Sequence, residues 1–208
     1  MNKRILAPII AGLVGAAVLS LYFSNDSTSF VPSKMNLSYE SSNSKLQSLL
    51  ATDKISMSNP LKIKGDSIET YCNFFSDQNF QSSIRYCTST ELTDSQGAFV
   101  GNIHMVGDAG SPFVVLAVMQ TDPFISQIDS VKSVSEAMVE SLVCGCWEEK
   151  KPGGFESVSE WIDAAKSHHL EAKRITSKSE ISGLAQKNLL MEISTNTEGY
   201  LWKFIITN

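Results

Sequence analysis

Cys144-Gly145-Cys146-Trp147 is the stretch of this chain whose residue types and spacing most suggest chemistry. Two cysteines separated by one residue can join only in a tight ring, and a strained disulfide is more easily reduced. Such a pair suits thiol–disulfide exchange, and as thiolates the same sulfurs suit a soft metal such as Cu(I) or Zn(II). The familiar redox motif has two intervening residues, which weighs against an oxidoreductase. A structural reading competes with both. In an oxidising compartment Cys144 and Cys146 would bridge to Cys72 and Cys87, and four cysteines allow three connectivities. All four are therefore disulfide candidates.

The three histidines complete the set of possible metal ligands: Cys144, Cys146, His104, His168 and His169. His168-His169 closes a helical pattern, where a cation already interacts well with the helix dipole. His104 lies in a strand-like run, where a lone histidine is usually hydrogen-bonded or exposed. No His-x-x-x-His or Glu-x-x-His pair is present, so a metal site would have to assemble from distant segments. Neither a Gly-x-Ser-x-Gly elbow nor a Gly-x-x-x-x-Gly-Lys or Gly-x-Gly-x-x-Gly loop occurs, so no cofactor is expected. Catalysis is not the favoured reading.

The elements that must position these residues follow from periodicity. Asp66 and Glu69 open a short helix carrying Ile68, Tyr71, Cys72 and Phe75. Asp77 opens a second, expected to align Phe80, Ile84 and Cys87. Ala98 to Val106 and Phe113 to Met119 read as strands of one hairpin, turning through Gly107 to Pro112. Phe113 to Met119 is apolar on both faces, which predicts a central, covered strand. Asp122-Pro123 predicts the start of a long helix with Phe124, Ile128, Val131, Met138 and Leu142 on its inner stripe. Ser157 and Glu160 form a capping box before Val158, Trp161, Ile162 and Ala165. A second hairpin joins Asn188–Thr195 to Tyr200–Thr207 through Asn196 to Gly199, with Tyr200, Trp202, Phe204 and Ile206 alternating. The expected fold class is α+β: an antiparallel sheet of two hairpins with helices packed on one face.

The first 23 residues predict a membrane segment. Ile5 to Phe23 runs 19 residues without a charge, and such a helix would span about 28 Å, close to the hydrocarbon core of a bilayer. Lys3 and Arg4 precede it, which places the N-terminus in the cytoplasm and the remainder outside. The run is longer than a cleaved signal and lacks a good small-x-small site, so a single-pass signal-anchor is expected; secretion after cleavage is the alternative. Ala7-Ala11-Gly15 and Gly12-Ala16-Ser20 form small-residue stripes through which two such helices could self-associate. From Ser24 to Ser44 eight of 21 residues are serine, which predicts a flexible tether reaching to about residue 59. Asn25 and Asn36 fit the N-glycosylation pattern. The organisation read from the chain is thus anchor 1–23, linker 24–59 and extracytoplasmic domain 60–208.

Charge limits the partners. The 208 residues carry a formal charge of −5, which argues against nucleic acid. Gly65 to Glu149 holds 12 acidic and two basic residues, a pattern that keeps a face solvated. Together these features point to a membrane-tethered extracytoplasmic binding or scaffold module without catalysis. The alternative is a thiol redox or metal-handling domain centred on Cys144 and Cys146.

Overall fold

In the computed structural model, residues 33–75 and 77–208 are described. The expected anchor, its small-residue stripes and Asn25 lie outside them, and no helix among the described residues is long and apolar enough to cross a membrane. The elements in chain order are α1 (Tyr39–Thr52), β1 (Ser56–Met57), β2 (Leu61–Lys64), α2 (Ser67–Tyr71), α3 (Gln78–Ser83), β3 (Tyr86–Thr93), β4 (Phe99–Gly107) and β5 (Pro112–Thr121). There follow α4 (Ile128–Leu142), α5 (Trp147–Lys150), a 3-10 turn (Pro152–Gly154), α6 (Val158–Glu171), β6 (Thr176–Leu184), β7 (Lys187–Asn196) and β8 (Gly199–Thr207).

All eight strands join one antiparallel sheet in the order β1-β3-β4-β5-β8-β7-β6, with β2 also paired to β3. Period-two alternation sorts its side chains. Val115, Ala117 and Met119 of β5 lie beside Ile206, Phe204 and Trp202 of β8 on the first face; Val114, Leu116 and Ile205 occupy the second. Burial on both sides makes β5 the covered central strand its composition predicts. The β7–β8 turn falls at the expected residues. Gly199 (φ +137°) is required there, because a side chain would collide with the carbonyl of Thr121.

Helices cover both faces, not one as expected. On the first face α1, α4 and α6 bury Leu46, Leu50, Val134, Met138, Trp161 and Ile162 against the strands. On the second, Ile68 and Cys72 of the α2 end, with Phe75 and Phe80, pack against Cys87, Val106, Val114 and Leu116. Trp161 and Trp202 are fully buried. Each side of the sheet repeats one plan: a helix (α1 or α6) followed by a meander running from an edge towards the middle.

Four expectations need correction. Residues 33–59 are not a tether: Met35, Leu46 and Leu50 sit in the main core, and Ser38 caps α1 by accepting from the Ser41 N–H. These three apolar anchors outweigh the serine-rich composition, because Ser41 and Ser44 face solvent, Ser38 caps the helix and only Ser42 is buried with them. Cys87 lies on β3 rather than on a helix; α3 ends at Ser83, and the threonine-rich run Tyr86–Thr93 pairs with strands on both sides. Helix α4 begins at Ile128, not at Asp122-Pro123. Asp122 Oδ1 instead accepts from the N–H groups of Phe124 and Ser126 at 2.9 Å each, holding a non-helical turn that leaves Phe124 exposed. Finally, the four cysteines do not share one interior. Cys72–Cys87 is a disulfide in the second-face core, and Cys144–Cys146 is a disulfide at the margin of the first-face core.

Candidate functional site

The first half of α1 lies over the β3 edge of the sheet, where the edge strand is interrupted. β1 and β2 both pair with β3; Ser58 still donates its backbone N–H to the Glu91 carbonyl at 2.9 Å, and Asn59-Pro60 then leaves the ladder. A groove of about 460 Å³ opens between α1 and this break, within the usual range of about 300–1,000 Å³ for ligand pockets.

The floor of the groove is polar and incompletely paired. Asn43 on α1 is 7% exposed and Thr88 on β3 is 1% exposed, and both line the cavity. The Asn43 amide nitrogen donates to the Tyr39 carbonyl at 2.7 Å and lies 3.7 Å from Met105 Sδ. That fixes the amide with Oδ1 turned to the other side, where it has no hydrogen-bond partner; Thr88 Oγ1 has none either. Unpaired buried polar atoms are rare because each costs about 1–3 kcal/mol. Among the described residues the other two such atoms, Gln81 Oε1 and His104 Nδ1, belong to the second face of the sheet.

The walls are held firmly. Tyr39 and Tyr86 meet edge to face with centroids 4.7 Å apart. The Tyr39 hydroxyl donates to the Asp108 carbonyl at 2.8 Å, and burial, then the Asp108 charge and Tyr86, keep this phenol protonated well above its ordinary value. Asp108 in turn pairs with Lys34 and accepts from the backbone N–H groups of Ser111 and Gly110, which hold its carboxyl down to about 2. The β4–β5 turn is thereby locked against the start of α1. Gln47 reaches across to the Met57 carbonyl at 2.9 Å and ties the helix to the edge strand. At the mouth, exposed Glu40 and Lys62 supply one charge of each sign.

The opposite side holds a smaller cavity of about 250 Å³ beneath α6, lined by Ala164, Ala165, His168, Ser177, Lys178, Ser179 and Met191. Among the described residues, no buried polar side-chain atom around it is left unpaired. His169 is 2% exposed, with Nδ1 2.9 Å from Ser177 Oγ and Nε2 2.9 Å from Thr195 Oγ1. The Trp161 indole donates to Ser179 Oγ at 2.7 Å. Burial, and secondarily His168, lower the His169 pKa. The arrangement is that of an internal hydrogen-bonded histidine.

The other sequence candidates are dispersed. Cys144 and Cys146 are half-buried and bonded to each other, with Trp147 buried beside them against Trp161. His168 is exposed, and His104 lies on the second face against the Phe74 ring at 4.5 Å. Among the described residues no three His, Cys, Asp or Glu side chains group as metal ligands. Asn36 is exposed just before α1. Sequence reading singled out neither Asn43 nor Thr88. An asparagine inside a serine-rich helix has no sequence signal of burial, and Thr88 is one of several threonines in its strand. Nor did it find Glu192 and Lys203, each 5% exposed, which pair at 3.0 Å on the second face while Lys178 approaches the other Glu192 oxygen at 3.4 Å.

No family model, curated protein or solved structure matches this chain. The functional reading therefore rests on the geometry of the groove and on the sequence before it.

Proposed function

We propose that this chain is a membrane-tethered extracytoplasmic binding module whose ligand enters the groove between α1 and the interrupted edge strand. The observation that carries the reading is the pair of unpartnered buried polar atoms, Asn43 Oδ1 and Thr88 Oγ1, on the floor of a solvent-open cavity. A binding role favours this arrangement, because a ligand supplies the hydrogen bonds that the fold leaves unmade. Export is supported by the uncharged run Ile5 to Phe23 behind Lys3-Arg4 and by the Cys72–Cys87 disulfide, a bond that persists in oxidising compartments.

The test is topological. A membrane-impermeant amine reagent applied to intact cells should label Lys62 at the groove mouth, and the protein should stay in the membrane pellet after a carbonate wash. Lys62 labelled only after lysis would sink the external placement. A mature form beginning near Phe30 would replace the anchor by a cleaved signal.

A thiol redox or metal-handling role is the second reading, favoured by the half-buried Cys144–Cys146 pair. Mild reductant on the native protein should then expose two fast-reacting thiols. If all four sulfurs resist alkylation until denaturation, the pair is structural.

A further inference from the structure

We infer that the groove beneath α1 takes a small, uncharged, hydroxyl-rich ligand of the sugar class; the inference rests on the groove being a binding site and names what fills it. Asn43 Oδ1 can only accept a hydrogen bond, so the ligand atom facing it must carry O–H or N–H. A carboxylate or phosphate offers lone pairs alone and would be repelled. Thr88 Oγ1 can donate or accept, and its free hydroxyl suits a group that does both.

The ligand should be neutral. Among the described residues the charges lining the groove are Glu40 and Lys62, both exposed, of opposite sign and at the mouth. A ligand charge beside Asn43 and Thr88 would lose its hydration without a counter-charge to offset the loss. The ligand should not be apolar either, because an apolar body would leave both floor atoms unpaired. Adjacent hydroxyls on one carbon skeleton meet both demands: one donates to Asn43 Oδ1 and its neighbour exchanges with Thr88 Oγ1. The Tyr39 and Tyr86 rings give the carbon skeleton an amphipathic wall. Hydroxyl and amide side chains at Ser38, Ser44, Ser58 and Asn59 extend the polar lining outward. A volume of about 460 Å³ admits a molecule of monosaccharide to disaccharide size.

The experiment titrates the full chain, held in a zwitterionic detergent free of sugar headgroups, and follows the Asn43 side-chain amide signals by NMR. The probes are glucose, galactose, N-acetylglucosamine and maltose, with glucuronate as charged control and tri-alanine as the peptide arm. At least one neutral sugar should shift the Asn43 signals in a saturable way, and glucuronate should bind at least about tenfold more weakly than glucose or not at all. Thr88→Val keeps the side-chain shape and should weaken the sugar about tenfold, the worth of one hydrogen bond, while leaving the melting temperature unchanged or higher. Preference for glucuronate, or equal sugar affinity in T88V, would overturn the assignment. Saturable binding of tri-alanine without any sugar would overturn the ligand class while leaving the groove a binding site. Silence of every probe at the Asn43 amide would count against both, marking the floor atoms as solvated only.

Discussion

The α1 and α6 sides of the sheet follow one plan and differ in how they treat a buried polar residue. Each side lays a helix over an edge meander and turns a polar helical side chain inward: Asn43, next to buried Ser42, beneath α1 and His169 beneath α6. His169 meets Ser177 and Thr195 and uses both ring nitrogens. Asn43 uses its amide nitrogen within the fold and leaves its oxygen without a partner, and Thr88, which lines the same groove, is also unpaired. Internal pairing makes a polar residue part of the scaffold, whereas incomplete pairing leaves free energy for a ligand to recover. The difference separates a side whose buried polar residue is internally satisfied from one whose buried polar atoms are not.

Truncation of an anchor on the α6 side should show the largest effect. Trp161 is fully buried, donates to Ser179 and packs its ring within 5.9 Å of the Trp147 ring and 5.8 Å of the Phe204 ring. Trp161→Ala should cost about 3–5 kcal/mol in urea unfolding. A loss below about 1 kcal/mol would mean that the α6 side is not the rigid partner in the comparison.

Acid should discriminate the two sides next. Burial lowers His104 from 6.5 to about 4, and His169 is lowered as well. The unfolded chain then binds more protons, so stability is full above pH 6.5 and falls as pH drops below it. For His104 alone, protonation across the whole window from 6.5 to about 4 corresponds to roughly 3 kcal/mol. His104→Leu should reduce the loss of stability between pH 6.5 and about 4, and the contribution of His169 in that window should appear as faster amide exchange in α6 and β6 before α1. Acid loosening that starts in α1, which carries no histidine, would contradict the assignment of His169 as the internal partner.

The smallest effects make the sharpest contrast. Ser177→Ala removes one partner of a buried histidine and should cost about 1–3 kcal/mol, whereas Thr88→Val removes a hydroxyl that has no partner and should be neutral or slightly stabilising. Equal destabilisation by the two would show that Thr88 is satisfied in solution and would remove the basis of the comparison.

Much of the scaffold was legible in the chain. The β8 alternation, the double-sided apolar run of β5, the turn at Asn196 to Gly199 and the Ser157 cap of α6 all depend on local periodicity and short-range hydrogen bonds. The errors have one physical cause: a local signal met a stronger distant one. Asp122-Pro123 resembles a helix start, yet the Asp122 carboxylate finds backbone donors in a tighter turn. Cys87 continues a helical spacing, yet its segment gains a ladder on each side. The serine-rich composition around α1 suggests a tether, yet Leu46 and Leu50, one turn apart, bury completely against the sheet.

By itself the sequence determined the α+β class, the position of the central strand, the burial of both Trp161 and Trp202 and the presence of cysteines able to pair. These depend on which side chains leave water and on which residues close turns, and both are written in neighbouring positions. The tertiary structure alone decided which cysteines pair, that the helices cover two faces and that α1 belongs to the domain. It also decided that Asn43 and Thr88, 45 positions apart, share the floor of one groove. Whether a buried polar atom is paired depends on atoms brought together from distant segments, so the candidate site has no signature in the order of residues.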